Sequence, residues 1–205
     1  GNLISAIPAT SDLTAELWFN ANGAGNILVE LGAPINGGGG WHDSHIEVSP
    51  TGSVFVRVWP SPTGVMVGTV SFGTWNHVAL RYNYAQQKLD GFLNGVPSPT
   101  HATVLRQINT ALYFGIGISD SQVMVSGGNY FNGKMDEFRV WNTARSQCEI
   151  QTFMNAEITS TASGLVANYH FNQGVPSGTN TTQTILIDET GSYSGSLSGF
   201  ALTGS

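Results

Sequence analysis

Charged residues are scarce in this 205-residue chain, and their scarcity narrows the range of partners. Asp, Glu, Lys and Arg together make up 10% of the sequence, against roughly 25% in an average soluble domain. The net charge is −6, and the seven Lys and Arg residues are spread along the chain. Because nucleic-acid binding needs clustered cations that neutralise phosphates, we expect no nucleic acid among the partners.

Cysteine and long apolar runs are also lacking. Cys148 is the only cysteine, so no disulfide can form within the chain. No apolar run approaches the ~20 residues of a membrane-spanning helix, so we expect no membrane insertion. The first residues show no signal peptide. We therefore interpret the chain as a mature domain or an excised module, with other domains of a larger parent protein among its partners.

What is present indicates a β-protein. Polarity comes from Ser, Thr and Asn, and glycine contributes 26 residues, a mixture that suits a secreted or cell-surface (extracellular) protein. Short runs of alternating apolar and polar residues recur between Gly, Pro and Asn. The expected fold class is all-β, a two-sheet antiparallel sandwich formed by residues 1–205 as a single domain. We predict strands at Leu13–Asn20, Asn26–Leu31, Ser44–Ser49, Ser53–Trp59, Val65–Ser71, Asn76–Tyr84, Lys88–Asn94, Ala111–Ile118, Lys134–Trp141 and Gly164–Phe171, with weaker ones at Thr184–Ile187 and Gly199–Leu202.

One segment, residues 146–155, predicts a short helix. Ser146 and Glu149 have the spacing of a capping box, in which each side chain bonds the other residue's backbone amide. Ile150, Phe153 and Met154 follow at the spacing of one helical face. We expect that face to pack against the sheets.

The stretch Ser49–Gly52 predicts a tight hairpin turn. Its Pro suits the second position of a type I turn, and its Gly suits the left-handed position of a three-residue loop with a bulge. In that register Ile46 faces Val56 and Val48 faces Val54. The four apolar side chains then share one face, which we expect to be the core face.

The other face of this hairpin carries the candidate binding residues. Aromatic rings can stack on sugars, while carboxylate, guanidinium and imidazole groups can bond sugar hydroxyls, so the set is typical of a shallow ligand site. The candidate carbohydrate-binding residues are Trp41, Asp43, His45, Glu47, Arg57 and Trp59. An alternative is that this face is merely solvated, with Arg57 paired to Asp43 or Glu47. A metal site at His42, Asp43 and His45 is disfavoured, because strand residues three apart point to opposite faces.

Four later segments carry a family resemblance. They are GTWNHVALRY (Gly73–Tyr82), KLDGFLNG (Lys88–Gly95), FNGKMDEFRVWNTARS (Phe131–Ser146) and GLVANYHFNQG (Gly164–Gly174). They resemble the laminin-G-like branch of the concanavalin-A-like lectin and glucanase jelly rolls, as found in modules of large secreted or surface bacterial proteins. The resemblance implies a jelly-roll sandwich with glycan sites on a concave face or its rim.

The same resemblance assigns roles to individual residues. It implies a packed, structural His77 and a Glu137–Arg139 pair. It also implies that Asp136 helps to hold a structural Ca²⁺ together with backbone carbonyls, a ligand set that suits this ion. Asp188 is either a second such carboxylate or the first residue of an Asx-type turn.

The sequence does not favour an enzyme. Glycosidases need two carboxylates flanking a cleft at roughly 5–10 Å, and the Glu-x-Asp-x-x-Glu strand of the related glucanases is absent. Asp136 and Glu137 are adjacent, so regular alternation would point them to opposite faces. We expect a non-catalytic carbohydrate-binding, lectin-like module whose partner is a glycan or polysaccharide. The alternative is a structural or adhesive repeat that makes protein contacts.

Overall fold

The computed structural model describes residues 1–34, 41–175 and 177–198, and nearly all of their regular structure is β. The strands are β1 (Leu13–Ala21), β2 (Gly25–Leu31), β3 (His42–Val48), β4 (Ser53–Val56), β5 (Val65–Thr69), β6 (Trp75–Asn83), β7 (Lys88–Leu93), β8 (Val96–Pro97), β9 (Ala102–Thr103), β10 (Tyr113–Ile116), β11 (Gly133–Trp141), β12 (Leu165–Tyr169), β13 (Ile185–Leu186) and β14 (Gly195–Ser196). One helix, α1, spans Gln147–Phe153. No helix among the described residues has the length and apolar character needed to cross a bilayer.

Two large antiparallel sheets confirm the predicted jelly-roll sandwich. The seven-stranded sheet has the order β12-β11-β1-β6-β7-β8, and β9 also pairs with β7. The five-stranded sheet has the order β10-β2-β3-β4-β5, and β13 pairs with β14 as a small separate hairpin. Each of the ten stronger predicted strands corresponds to an observed one. The prediction at Gly199–Leu202 lies outside the described residues, as do Gly37–Gly40 ahead of Trp41.

The hydrophobic core lies between the two sheets, and strand alternation builds it. Leu13, Ala15, Leu17 and Phe19 of β1 are fully buried on the core side. Ile46, Val48, Val54 and Val56 of the β3–β4 hairpin belong to the same cluster and are also fully buried. Burying one such side chain contributes roughly 1.5–3 kcal/mol, so these rows stabilise the sandwich strongly.

The β3–β4 hairpin has the predicted register. Ile46 pairs with Val56, and Val48 pairs with Val54. Gly52 closes the turn with a φ of +79°, and a Cβ on it would lie 2.3 Å from the carbonyl oxygen of Val70. Glycine is therefore required at this position both by conformation and by space. β4 ends at Val56, three residues earlier than predicted.

Helix α1 begins with the predicted capping box. The amide of Glu149 donates to the Ser146 hydroxyl at 3.2 Å, and the amide of Ser146 donates to the Glu149 carboxylate at 2.7 Å. Ile150 is fully buried and packs with Ala79 and Phe92 on the seven-stranded sheet. Phe153 does not pack as predicted, because it ends the helix and remains 42% exposed.

Candidate functional site

The polar residues of the hairpin come together, but a distant segment covers them. Asp43, His45, Glu47 and Arg57 are all buried, and Arg57 is the most accessible of them at 8%. The cover is the segment 120–126, which we call the covering segment. The sequence predicted an open platform here, and the burial contradicts that expectation, because alternation along a strand does not report what lies over its polar face.

Glu47 anchors the covering segment. Its carboxylate accepts hydrogen bonds from the backbone amides of Met124 at 2.6 Å, Val125 at 2.8 Å and Ser126 at 2.8 Å. Burial alone would raise the pKa of Glu47, but hydrogen bonds to the carboxylate outweigh it and lower the pKa. The carboxylate is therefore ionised and fully engaged, which leaves it unable to bind a ligand.

Arg57 ties the same segment to the sheet. Its guanidinium contacts Asp43, donates to the carbonyl of Gln122 at 2.6 Å, and donates to the carbonyl of Ser44 at 3.2 Å. Burial raises the pKa of Asp43 to about 6 despite the neighbouring Arg57. The Arg57–Asp43 pair is thus one of the two arrangements that the alternative interpretation of this face anticipated.

His45 also has an internal partner. Its ring contacts Glu30 on β2, and both side chains are fully buried. The ring centroid lies 5.9 Å from that of Phe114, which packs against the core. His45 contacts Glu30 whereas His42 contacts Asp120, so the two imidazoles have different partners.

The two tryptophans of the predicted platform do not line the same surface. Trp59 is 44% exposed, and its carbonyl accepts a hydrogen bond from the amide of Gln107 at 2.9 Å. Trp41 is half-buried, and its indole lies against Gly32: a Cβ at that position would lie 2.5 Å from the ring. Trp41 lines a cleft at the end of β2 and the start of β3, two interior strands of the five-stranded sheet, and Trp59 is not part of its lining.

This cleft, which we call the rim cleft, has a volume of about 680 Å³. It combines apolar and polar walls. Its principal lining residues are Val29, Leu31, Trp41, His42, Asp120 and Gly128.

A histidine–aspartate pair forms the polar wall of the rim cleft. Nδ1 of His42 contacts Oδ1 of Asp120, and the amide of Gln122 donates to the same oxygen at 2.9 Å. The other oxygen, Oδ2, is buried and has no hydrogen-bond partner among the described residues. The side chain of His42 is 38% exposed, whereas that of Asp120 is 1% exposed. The pair therefore presents an imidazole edge supported by a buried carboxylate.

Glycine allows the loop beyond Asp120 to fold back over it. Gly127 and Gly128 have φ values of +73° and +78°. A Cβ on Gly128 would lie 2.6 Å from the carbonyl oxygen of Asp120. Sequence reasoning missed Asp120, because it lies 78 residues from His42 in an irregular loop and no local pattern links the two.

A second pocket lies on the outer face of the seven-stranded sheet. It has a volume of about 380 Å³, and we call it the aromatic pocket. The residues that define it are Trp18, Trp75, Asp136, Glu137, Arg139 and Glu157. Glu137 has a φ of +50° at an irregularity of the β1–β11 pairing, and this interrupts the alternation. Asp136 and Glu137 consequently line one pocket, although their adjacency predicted opposite faces.

The predicted Glu137–Arg139 pair forms in this pocket, and the predicted packed His77 lies beside Trp18. Arg139 donates to the Glu137 carboxylate at 2.5 Å, and His170 contacts the other oxygen of Glu137 at 2.6 Å. His77 is buried 3.6 Å from Glu16. Burial, reinforced by Arg139 and Arg145, lowers the pKa of His77 to about 3, so its ring is neutral.

The fit of Asp136 to calcium is limited. One carboxylate oxygen accepts a hydrogen bond from the amide of Glu137 at 2.9 Å, and burial raises the pKa of the group. Among the described residues, Glu137, Glu157 and His170 converge to within 4.8 Å of one another, and Asp136 is not a member of that group. Asp188 forms the predicted turn, in which its carboxylate accepts from the amides of Thr190 and Ser192.

Comparisons with known proteins agree with this architecture. A family model described as the concanavalin A-like lectin/glucanases superfamily matches residues 3–151. A search of curated protein sequences finds no significant match.

Three solved structures illustrate the likeness. A candidate carbohydrate-binding protein from Bacteroides ovatus is 20% identical with a TM-score of 0.64, and the match covers 91% of this chain and 52% of that one. The chain thus spans about half of that protein. The carbohydrate-binding module CBM40 of the Ruminococcus gnavus IT-sialidase, bound to α2,3-sialyllactose, is 14% identical with a TM-score of 0.52, covering 74% and 85%. A SAP-like pentraxin from Limulus polyphemus is 18% identical with a TM-score of 0.52, covering 71% and 70%. At these identities the likeness shows the fold alone.

Proposed function

Because the chain belongs to the concanavalin A-like lectin/glucanase superfamily, we propose that it is a non-catalytic module that binds a glycan at the rim cleft. The observation that carries the proposal is the placement of the Trp41 indole beside the His42–Asp120 pair in one open cleft. Structural neighbours give further support, since they include a candidate carbohydrate-binding protein and a sialidase CBM40 bound to sialyllactose.

Binding in this proposal uses stacking and a few directed hydrogen bonds. The Trp41 ring offers an apolar surface to the C–H face of a pyranose, and the exposed edge of His42 bonds a hydroxyl. Oδ2 of Asp120 lacks a partner among the described residues. An unsatisfied buried acceptor costs about 1–3 kcal/mol, so a sugar hydroxyl that reaches it gains affinity by relieving that cost.

The buried residues of the hairpin have a positioning role in this proposal. Glu47 and Arg57 hold the covering segment, whose first residue is Asp120, and Asp43 holds Arg57. They set the position of the Asp120 carboxylate without touching the glycan. His45 belongs to the buried support, and Trp59, which lies outside the cleft lining, is given no contact.

We propose a module without catalytic activity because the cleft has one carboxylate, whereas glycoside hydrolysis needs two. Asp120 is the only Asp or Glu among the described residues that line the rim cleft. Two carboxyl groups at roughly 5–10 Å are needed to supply an acid together with a base or nucleophile. We also propose that the module belongs to a secreted or surface-anchored parent protein. Several copies of the module in that protein would raise the overall affinity above that of a single weak site.

A glycan array tests the proposal. Fluorescently labelled protein is applied with and without EDTA, and we expect binding to at least one class of glycan. An absence of binding to every glycan in both conditions would favour the alternative, a structural or adhesive repeat.

Calcium at Asp136 is a separate proposal that rests on the family resemblance, in which this carboxylate and backbone carbonyls hold the ion. Thermal unfolding tests it: added Ca²⁺ raises the melting temperature if the ion binds the folded state, and EDTA reverses the increase. Identical melting curves under both conditions would remove calcium from the account, whatever the array shows.

A further inference from the structure

The aromatic pocket is lined by two indole rings on a sheet face that the core does not use. Trp18 on β1 is paired with Asp136 on β11, and Trp75 on β6 is paired with Asn20, two residues along from Trp18. Trp75 is 45% exposed. The Trp18 ring is held in place, because its Nε1 donates to the carbonyl of Met154 at 2.6 Å.

The positive charge in the pocket is already committed to the protein. The Arg139 guanidinium donates to the carbonyls of Phe153 at 2.9 Å and Ala156 at 2.6 Å, and to the Glu137 carboxylate at 2.5 Å. Its side chain is 1% exposed. Arg139 therefore builds the wall of the pocket and cannot reach out to an anionic ligand.

The pocket also contains carboxylates that are not paired with Lys or Arg among the described residues. Asp136 and Glu157 line the pocket, and neither forms an ion pair with a Lys or Arg among the described residues. Glu157 is exposed, and its closest partner is the Asn172 side-chain amide, which donates to it at 3.5 Å. The pocket thus combines two aromatic rings with two carboxylates for which no Lys or Arg of the described chain forms an ion pair.

We propose that the aromatic pocket binds an organic cation, a substituted ammonium group held between the Trp18 and Trp75 rings and the carboxylates of Asp136 and Glu157. A cation over an indole face is attracted by the ring quadrupole, and the attraction increases when the cation is desolvated. The two carboxylates attract a cation electrostatically, and a neutral ligand would not gain this attraction. An anionic ligand would be repelled.

The chemistry of the pocket favours an organic cation over a metal ion. A hard cation such as Ca²⁺ needs six to eight oxygen ligands, whereas two indole rings, which offer no oxygen, are part of the wall of this pocket. The volume of about 380 Å³ is near the lower end of the range for small-molecule sites, which suits a compact group.

This pocket is separate from the rim cleft. Its residues belong to or flank the seven-stranded sheet, whereas Trp41 and His42 lie at the start of β3 in the five-stranded sheet. The two proposals can therefore fail independently, and different variants test them.

The test uses the full 205-residue protein and tetramethylammonium chloride as the probe, with isothermal titration calorimetry as the readout. Tert-butanol, which is neutral and of similar size, and sodium chloride at equal ionic strength are the reference titrations. We expect saturable binding of tetramethylammonium and none of tert-butanol. Glucosamine and N-acetylglucosamine, titrated in the same way, distinguish an amino sugar from a simple amine as the source of the cation.

Matched variants locate the site. Trp75→Ala should weaken binding about tenfold or more, since it removes a cation–π contact together with apolar area. Trp59→Ala removes an equally exposed tryptophan, 44% against 45%, from outside the pocket and should bind as the wild type does. Glu157→Gln should weaken binding severalfold, and Glu189→Gln, another exposed acidic residue, serves as its control.

Three results would overturn the proposal. One is equal binding of tert-butanol, which would remove the role of charge. Another is unchanged binding by both Trp75→Ala and Glu157→Gln, which would place the cation elsewhere. The third is a combined result with Ca²⁺. If millimolar Ca²⁺ displaces tetramethylammonium, and if Ca²⁺ binds to Trp75→Ala as tightly as to the wild type, the site is one for a metal ion.

Discussion

At the scale of the residue, small side chains set the position of large ones at the rim cleft. The indole of Trp41 occupies the space that a side chain at position 32 would fill, since a Cβ there would lie 2.5 Å from two ring atoms. Gly32 therefore determines where Trp41 lies, although it contributes no functional group. A substitution at Gly32 would therefore change ligand affinity by moving the Trp41 ring.

Gly32→Ala should displace the Trp41 ring and weaken glycan binding about tenfold or more, because a misplaced ring loses its stacking contact. A shift in tryptophan fluorescence and the dissociation constant for the glycan measure the two effects. Gly23→Ala is the matched control, since a Cβ at that position meets nothing within 4 Å. Unchanged fluorescence and affinity in Gly32→Ala would contradict the role assigned to this contact.

Asp188 shows how a single carboxylate can organise a turn. Its two oxygens accept from the amides of Asn168 at 2.8 Å and Tyr193 at 2.8 Å, and from the Thr190 hydroxyl at 2.6 Å. Burial alone would raise the pKa of Asp188, but these hydrogen bonds outweigh it and lower the pKa. The ionised form is therefore favoured in the folded state.

A lowered folded-state pKa contributes stability above the unfolded value of about 3.9, and the contribution is lost as the pH falls through the folded-state pKa. Asp188→Asn should reduce the free energy of unfolding at pH 7 by roughly 1–3 kcal/mol. It should also make the loss of stability between about pH 5 and pH 2 smaller than in the wild type. Urea unfolding at about pH 7, 5 and 3 measures both, with Glu189→Gln as the neighbouring control. If the stabilities of the wild type and of Asp188→Asn fall in parallel with pH, this assignment is refuted.

At the scale of the element, the covering segment is the feature that separates the observed site from the predicted one. It lies over β3 and brings Asp120 to His42, and Glu47 and Arg57 hold it through hydrogen bonds to its backbone. Its stability should therefore depend on the anchoring carboxylate.

Glu47→Gln should loosen this segment, because the remaining uncharged oxygen accepts hydrogen bonds more weakly and the new NH2 group faces either the amide of Met124 or the amides of Val125 and Ser126, donor against donor. Hydrogen exchange at Met124, Val125 and Ser126 should accelerate by about tenfold or more. The amides of the β3–β4 ladder in the same molecule serve as the internal control. Equal protection of residues 124–126 in wild type and variant would show that Glu47 does not anchor the segment.

The sequence predicted the elements better than their assembly. Alternation and turn residues located the strands, and Ser49–Gly52 predicted the hairpin register because both signals are local. The capping box located α1 for the same reason. The covering segment and Asp120 were not predicted, because their partners are about 80 residues away and irregular backbone has no periodicity. At Glu137 a local irregularity placed two adjacent carboxylates in one pocket, against regular alternation.

At the scale of the whole molecule, the sandwich separates two proposed binding surfaces. The five-stranded sheet provides the rim cleft, and the outer face of the seven-stranded sheet provides the aromatic pocket. The shared core between them is apolar and continuous. In our account the fold is the superfamily's, whereas the ligand chemistry comes from the loops and from the outer sheet face.

The proposed function depends on a glycan binding at Trp41. It is tested by the dissociation constants of the wild type, Trp41→Ala and Trp59→Ala for the strongest glycan found on the array. We predict that Trp41→Ala loses at least about tenfold in affinity, or about 1.4 kcal/mol, while its melting temperature stays near the wild-type value, since the ring contributes both stacking and buried apolar area. Trp59→Ala should bind as the wild type does. Equal affinity of Trp41→Ala and the wild type would contradict glycan binding at this residue.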